Sequence, residues 1–145
     1  MNLEELQQEW KIDTKINELD LSRESLKTPH LHSKYIDHLV GAKRRLSRAK
    51  HDLARMAAFK VKYWSGHLTK EELIEYELPQ YQYTKPLKSE VEGKLLADED
   101  YIKILDNIEG LEIMIGFLES VMKSIFARSF DIKNSIEWGK FQAGN

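Results

Sequence analysis

The sequence predicts an all-α chain built on two long helices with coiled-coil-like seams, with shorter helices around them. Two observations carry that prediction. Apolar residues alternate at intervals of four and three in two separate runs, one from Tyr35 and one from Ile104, which places each set along one stripe of a helix. Residues able to cap a helix N-terminus stand near the starts of helical stretches, at Asn2, Thr69 and Asp98, where a side-chain oxygen can accept an otherwise unpaired amide.

Taken in order, Asn2 followed by Glu5 has the form of a capping box. Leu3, Leu6, Trp10, Ile12 and Ile16 then recur at roughly helical spacing, so a short first helix is expected. Thr28-Pro29-His30-Leu31-His32-Ser33 interrupts the pattern, because proline lacks an amide donor and disfavours helix at the residue before it; a new helix is expected to start there. From Tyr35 the seam runs through Leu39, Ala42, Leu46, Ala49, Leu53 and Met56, with Lys60 in register, to Tyr63. Gly66 is its expected C-terminal stop. Thr69 to Glu72 is a second capping box, opening a short helix that Pro79 should end, and residues 80–86 read as extended. Ser89 to Glu92 suggests another short helix. Asp98 caps the last long one, whose stripe is Ile104, Ile108, Leu111, Ile115, Leu118, Met122 and Ile125, with Ile102, Leu105, Met114, Phe117 and Val121 on an adjacent face.

An apolar arc that wide cannot be satisfied by one narrow, alanine-rich neighbour, so self-assembly is predicted. The residues expected to carry it are Ile104, Ile108, Leu111, Ile115, Phe117, Leu118, Val121, Met122 and Ile125. Phe130, Ile136 and Trp138 join them from a tail that keeps large apolar groups almost to its end.

The chain of 145 residues suits one domain. Within it, 1–66 holds the N-terminal helices, 67–97 a connection and 98–145 the C-terminal helices. No cysteine is present, which removes disulfides and thiolate-metal sites. The N-terminus is acidic rather than basic and then apolar, and no run is long enough to span a membrane, so a soluble protein that stays where it is made is expected. Of the five histidines only His30 and His32 hint at ligand spacing, and no third ligand is placed, so no metal or other cofactor is expected. The cluster Asp98-Glu99-Asp100 is explained by the preference of a helix N-terminus for negative charge. No phosphate-cradling loop, nucleophile elbow or zinc-protease helix occurs, and an enzyme is not expected.

Charge is unevenly spread. Residues 1–30 carry net −3, residues 31–66 net +7, residues 67–122 net −8 and residues 123–145 net +2. The acidic third segment keeps DNA to one surface, docks a basic partner or only solubilises the chain. The basic one holds the constellation with chemical content: Arg44, Arg45, Arg48, Lys50, Arg55, Lys60 and Lys62, followed by Tyr63 and Trp64. Cations along a helix neutralise phosphates, and adjacent aromatics offer faces to unpaired bases, a combination that suits a single strand. The same residues read equally well as a solvated helix face ending in two core aromatics.

Several stretches resemble the UvsY family, the recombination mediators of T-even-type phages. They are residues 3–7 (LEELQ), 31–35 (LHSKY), 60–66 (KVKYWSG), 88–92 (KSEVE), 124–134 (SIFARSFDIKN) and 141–144 (FQAG). None is specific alone, but their order and spacing cover nearly the whole chain. The resemblance implies a ring-forming, all-helical, non-enzymatic protein, a hexamer or heptamer acting in the cytoplasm of the infected bacterial host. It would bind single-stranded DNA, loosen the phage single-strand-binding protein and nucleate a filament of the phage recombinase, in recombination and repair. The positions matching the family's DNA-binding motif are Ala58, Lys60 and Lys62. Ala58 departs from the T-even form, which has lysine there, and Lys62 stands where that form has an acid. Two other classes compete: a structural coiled-coil adaptor without nucleic acid, and a basic helix on an anionic membrane, the latter disfavoured because its seam is alanine-rich rather than bulky.

Overall fold

The computed structural model describes residues 1–144. Among them lie five α-helices and no strand: α1 Leu3–Asp13, α2 Leu21–Trp64, α3 Lys70–Glu75, α4 Lys88–Leu96 and α5 Glu99–Gln142. They form two compact units. One comprises residues 1–44 with the chain from Glu112 onward; the other is Arg45–Leu111.

Local chemistry sets most of the boundaries. The Glu5 amide donates to Asn2 Oδ1 at 2.8 Å while the Glu5 carboxylate accepts the Asn2 amide at 3.0 Å, and Thr69 with Glu72 repeats the arrangement at α3. Asp98 caps α5 by accepting the Tyr101 amide at 3.0 Å. At the end of α2, Gly66 adopts φ +72°. This lets the His67 amide reach the Lys62 carbonyl and the Gly66 amide the Tyr63 carbonyl, the two bonds of a Schellman close.

Three boundaries differ from expectation. Helix α2 does not start after Pro29 but runs through it from Leu21, capped by Asp20, whose carboxylate accepts the Arg23 amide. Proline deprives the Ser25 carbonyl of its helical partner. Both Ser25 and Pro29 face solvent, where water can replace the bond, while Glu24, Leu31 and Tyr35 are buried and hold the turns on either side. Helix α3 ends before Pro79 can act: Glu77 takes a left-handed φ of 53°, and the Leu78 amide closes on the Leu73 carbonyl at 2.9 Å. Helix α4 exists, but its N-cap is Leu87, without a side-chain bond, and Ser89 lies inside the helix.

In the first unit, Leu6 of α1, Leu31, Tyr35, Leu39 and Ala42 of α2, and Leu118, Val121, Ile125 and Ile132 of α5 form the core. Trp10 meets the Tyr35 ring edge-on at 5.2 Å, and the Tyr35 hydroxyl donates to Asp13 at 2.8 Å, so α1 is held by an aromatic contact and a hydrogen bond together. Helices α2 and α5 run antiparallel here, as the pairs Lys43–Glu119 and Glu24–Arg128 require. Arg128 is 4% exposed and fully engaged: it meets the Glu24 carboxylate, donates to the Glu24 carbonyl at 3.1 Å and reaches the Thr28 hydroxyl at 3.1 Å.

In the second unit, Ala49, Ile108 and Leu111 form a buried cluster with Leu46, Leu53 and Ile104 packed against it. Both predicted seams are present in this unit and face each other. The residues expected to assemble copies therefore divide. Ile108, Leu111, Ile115, Leu118, Val121 and Ile125 are buried by the chain's own helices, Ile104, Phe117 and Met122 are half-buried, and Phe130, Ile136 and Trp138 are exposed, as are Phe126 and Phe141. Among the described residues no helix is long and apolar enough to cross a membrane.

Candidate nucleic-acid interface

On a helix that advances about 100° per residue, Arg48, Arg55 and Lys62 recur every seventh position and stay on one face with a drift of about 20° per heptad. That face flanks the seam of Ala49, Leu53 and Met56, roughly 100° or more around the helix from it. Burial of the seam against α5 is what turns these cations outward, and all three are exposed.

Exposure does not make every cation equivalent. Arg48 and Lys50 are exposed, and no carboxylate among the described residues pairs with them. Arg44, at the end of the first unit, and Arg45 are exposed as well. Arg55 meets Asp52 at 2.8 Å in a pair open to solvent on both sides, and Lys62 meets Glu72 of α3 at 3.2 Å. The amide of Thr69 and the Lys62 ammonium together hold the Glu72 carboxyl below its ordinary range.

Lys60 differs. It occupies a seam position, its side chain is only 18% exposed, and its ammonium sits 3.0 Å from Asp98 and 3.1 Å from Asp100. Burial pulls its pKa down, but the two carboxylates outweigh that and raise it. Asp98 answers in kind: burial pushes its carboxyl up, while the Tyr101 amide and Lys60 bring it below the usual value. The lysine is charged and already neutralised.

The two aromatics expected to stack on bases are also differently placed. Trp64 is 7% exposed, with the Lys94 ammonium of α4 lying 5.0 Å from its ring centroid, so its faces are covered by protein. Tyr63 is half-buried and donates its hydroxyl to the Pro79 carbonyl at 2.8 Å. Its ring meets Tyr81 edge-on at 5.4 Å, and Tyr81 in turn meets Tyr83 at 5.6 Å. The tyrosines of the connection are thus part of this neighbourhood, which the sequence reading passed over; the available signal was Tyr81-x-Tyr83 between two prolines, since alternate residues of an extended segment share a side.

A cleft of about 980 Å³ beside Lys60 is lined by Phe59, Tyr63, Tyr76 and the two aspartates. Among the described residues no group of three or more His, Asp or Glu converges where a metal ion could be held.

Comparison with known proteins finds similarity along nearly the whole chain. The model of the family described as recombination, repair and ssDNA binding protein UvsY matches residues 9–145. The recombination protein uvsY of Enterobacteria phage T4 is 27% identical over 144 residues, covering 99% of both chains. A crystal structure of the bacteriophage T4 recombination mediator protein UvsY superposes with a TM-score of 0.81 at 26% identity, covering 99% of this chain and 98% of that one. The same phage protein in another crystal lattice gives 0.79 at 25% identity, over 95% and 98%. The chain belongs to the UvsY family of recombination, repair and single-stranded DNA binding proteins.

Proposed function

We propose that this chain is a recombination mediator. It assembles as a ring, a hexamer or heptamer, in the cytoplasm of a phage-infected host. There it binds single-stranded DNA, loosens the phage single-strand-binding protein and promotes nucleation of the phage recombinase. The observation that carries the reading is the match to the T4 mediator along both chains; the exposed cations of α2 supply the matching chemistry.

Within the second unit, the first contacts for phosphate are Arg48, on the face it shares with Arg55 and Lys62, and Lys50, about 160° round the helix on the other flank of the seam, so a bound strand must wrap partway around α2. Arg55 and Lys62 join them at little cost, because exposed ion pairs contribute only about 0–1 kcal/mol and a phosphate can replace the carboxylate. Lys60 stays with its two aspartates. Ring assembly draws on the exposed apolar side chains of the C-terminal part of α5 and multiplies weak contacts through effective concentration. Remodelling follows if the strand geometry held by the ring favours recombinase over single-strand-binding protein, since differential affinity is what shifts such an equilibrium.

The test is fluorescence anisotropy with a labelled oligonucleotide over a range of salt. Four cations per subunit at roughly 0.7 each give a log-log slope near −3. Arg48→Ala with Lys50→Ala should flatten that slope by about half while mass photometry shows the assembly unchanged. Binding that is absent at low salt would leave a structural coiled-coil adaptor as the better description.

A further inference from the structure

The segment between α3 and α4 has an organisation that the fold alone does not require. Tyr63 of α2, Tyr81 and Tyr83 form a chain of edge-on rings, tied to the helix by the bond from the Tyr63 hydroxyl to the Pro79 carbonyl. Prolines at 79 and 86 restrict the backbone at both ends of the tyrosine pair. Lys94 holds the middle ring from α4, its ammonium 3.1 Å from the Tyr81 hydroxyl. The same nitrogen is 5.5 Å from the Tyr81 ring centroid, which puts it beyond the hydroxyl rather than over the ring. The last ring of the chain, Tyr83, is 80% exposed. It borders a cleft of about 820 Å³ with Lys85, Pro86, Leu87 and Glu90 on its walls.

A single exposed tyrosine needs no explanation. A row of three, buttressed on a helix and ending in an open ring beside an exposed lysine, has the features of a stacking surface. The ring is pre-positioned, so little conformational freedom is lost when a flat group lies on it. Trp64, the larger aromatic nearby, cannot serve because its faces are covered.

We propose that Tyr83, positioned by Tyr81, is the base-stacking site of this protein for single-stranded DNA, with Lys85 meeting the adjacent phosphate. Lys85 and Lys94 outnumber Glu90 in the lining of the same cleft, so its net charge is positive and favours a phosphate beside the stacked base. The proposal rests on the single-strand-binding character of the family and adds where an unpaired base is held.

The experiment compares binding of the full-length chain to oligothymidylate and to an oligonucleotide of the same length made of abasic sites, each over a range of salt. Stacking on one aromatic is worth about a 5- to 150-fold change in affinity. Tyr83→Ala should cost a factor in that range on oligothymidylate and nothing on the abasic strand, with the salt slope unchanged on both, and Tyr83→Phe should restore what alanine removes. Equal losses on the two strands, or no loss on oligothymidylate, would overturn the stacking site. Failure of the unaltered protein to bind either strand at low salt would instead remove the DNA-binding reading itself, so the two failures are distinct.

Discussion

Lys60 and Lys62 stand two positions apart, yet their ammonium groups are differently committed. The first faces Asp98 and Asp100 from a seam position, and the second meets the half-buried Glu72 at 3.2 Å with its own side chain open to water. Replacing Lys60 by methionine strands the Asp98 carboxylate beside an apolar chain and should cost about 1–3 kcal/mol. Urea unfolding would read that loss, and the salt slope of DNA binding should not move. Lys62→Ala should change stability by less than about 1 kcal/mol and flatten the salt slope instead. Glu77 gives the opposite sign. Its φ of 53° is a conformation that side chains with a Cβ adopt at a cost and glycine adopts freely. Glu77→Gly should therefore stabilise the chain by about 0.5–1 kcal/mol, seen as a higher urea midpoint at unchanged slope.

At the scale of the element, α2 carries a charged group at each end of its buried stripe, Glu24 opposite Arg128 and Lys60 opposite Asp98. The acid stands on α2 in the first unit and at the start of α5 in the second, and within each unit a helix slipped along its neighbour loses its pair. Hydrogen bonds from Lys27 and then Arg128 lower the Glu24 carboxyl below its ordinary value of 4.5, against the effect of burial. A depressed folded pKa means stability that is fully present above pH 4.5 and is lost as pH falls through the folded value. Glu24→Gln should thus be less stable than the parent at pH 7, by about 1.5–3 kcal/mol, the worth of a hydrogen bond to a charged group. Thermal melts at successively lower pH should show that gap closing below 4.5. The helix ends were legible wherever a capping residue or glycine acts locally, as at Asn2, Gly66, Thr69 and Asp98. Pro29 misled because its cost depends on whether the freed Ser25 carbonyl meets water, which is a property of the packed helix.

For the whole molecule, the exposed side chains Phe126, Phe130, Trp138 and Phe141 form more apolar surface than one face of a helix usually shows to water. They pair along the helix, Phe126 with Phe130 edge-on at 6.1 Å and Trp138 with Phe141 in stacked rings 5.4 Å apart. If copies assemble through this surface, Phe130→Asp should keep helix content and melting temperature close to the parent while mass photometry shows smaller particles. DNA affinity should then fall more steeply than any single contact explains, because avidity is lost with the ring. The wide arc of α5 was readable as a whole, but its division between intrachain core and free surface was not. That division depends on how much of the arc α1 and α2 cover.

The order of residues determined by itself the helical class, the two seams, most of the caps and the concentration of positive charge between residues 31 and 66, because each arises from neighbours within a few turns. Only the tertiary structure decided which charges are spoken for and which rings are open. Lys60 finds Asp100 at a separation of 40 residues and Arg128 finds Glu24 at 104. No periodicity encodes partners so far apart; they meet because burial of the two seams brings opposite ends of α2 and α5 together within each unit, and that same burial covers Trp64 while leaving Tyr83 in water.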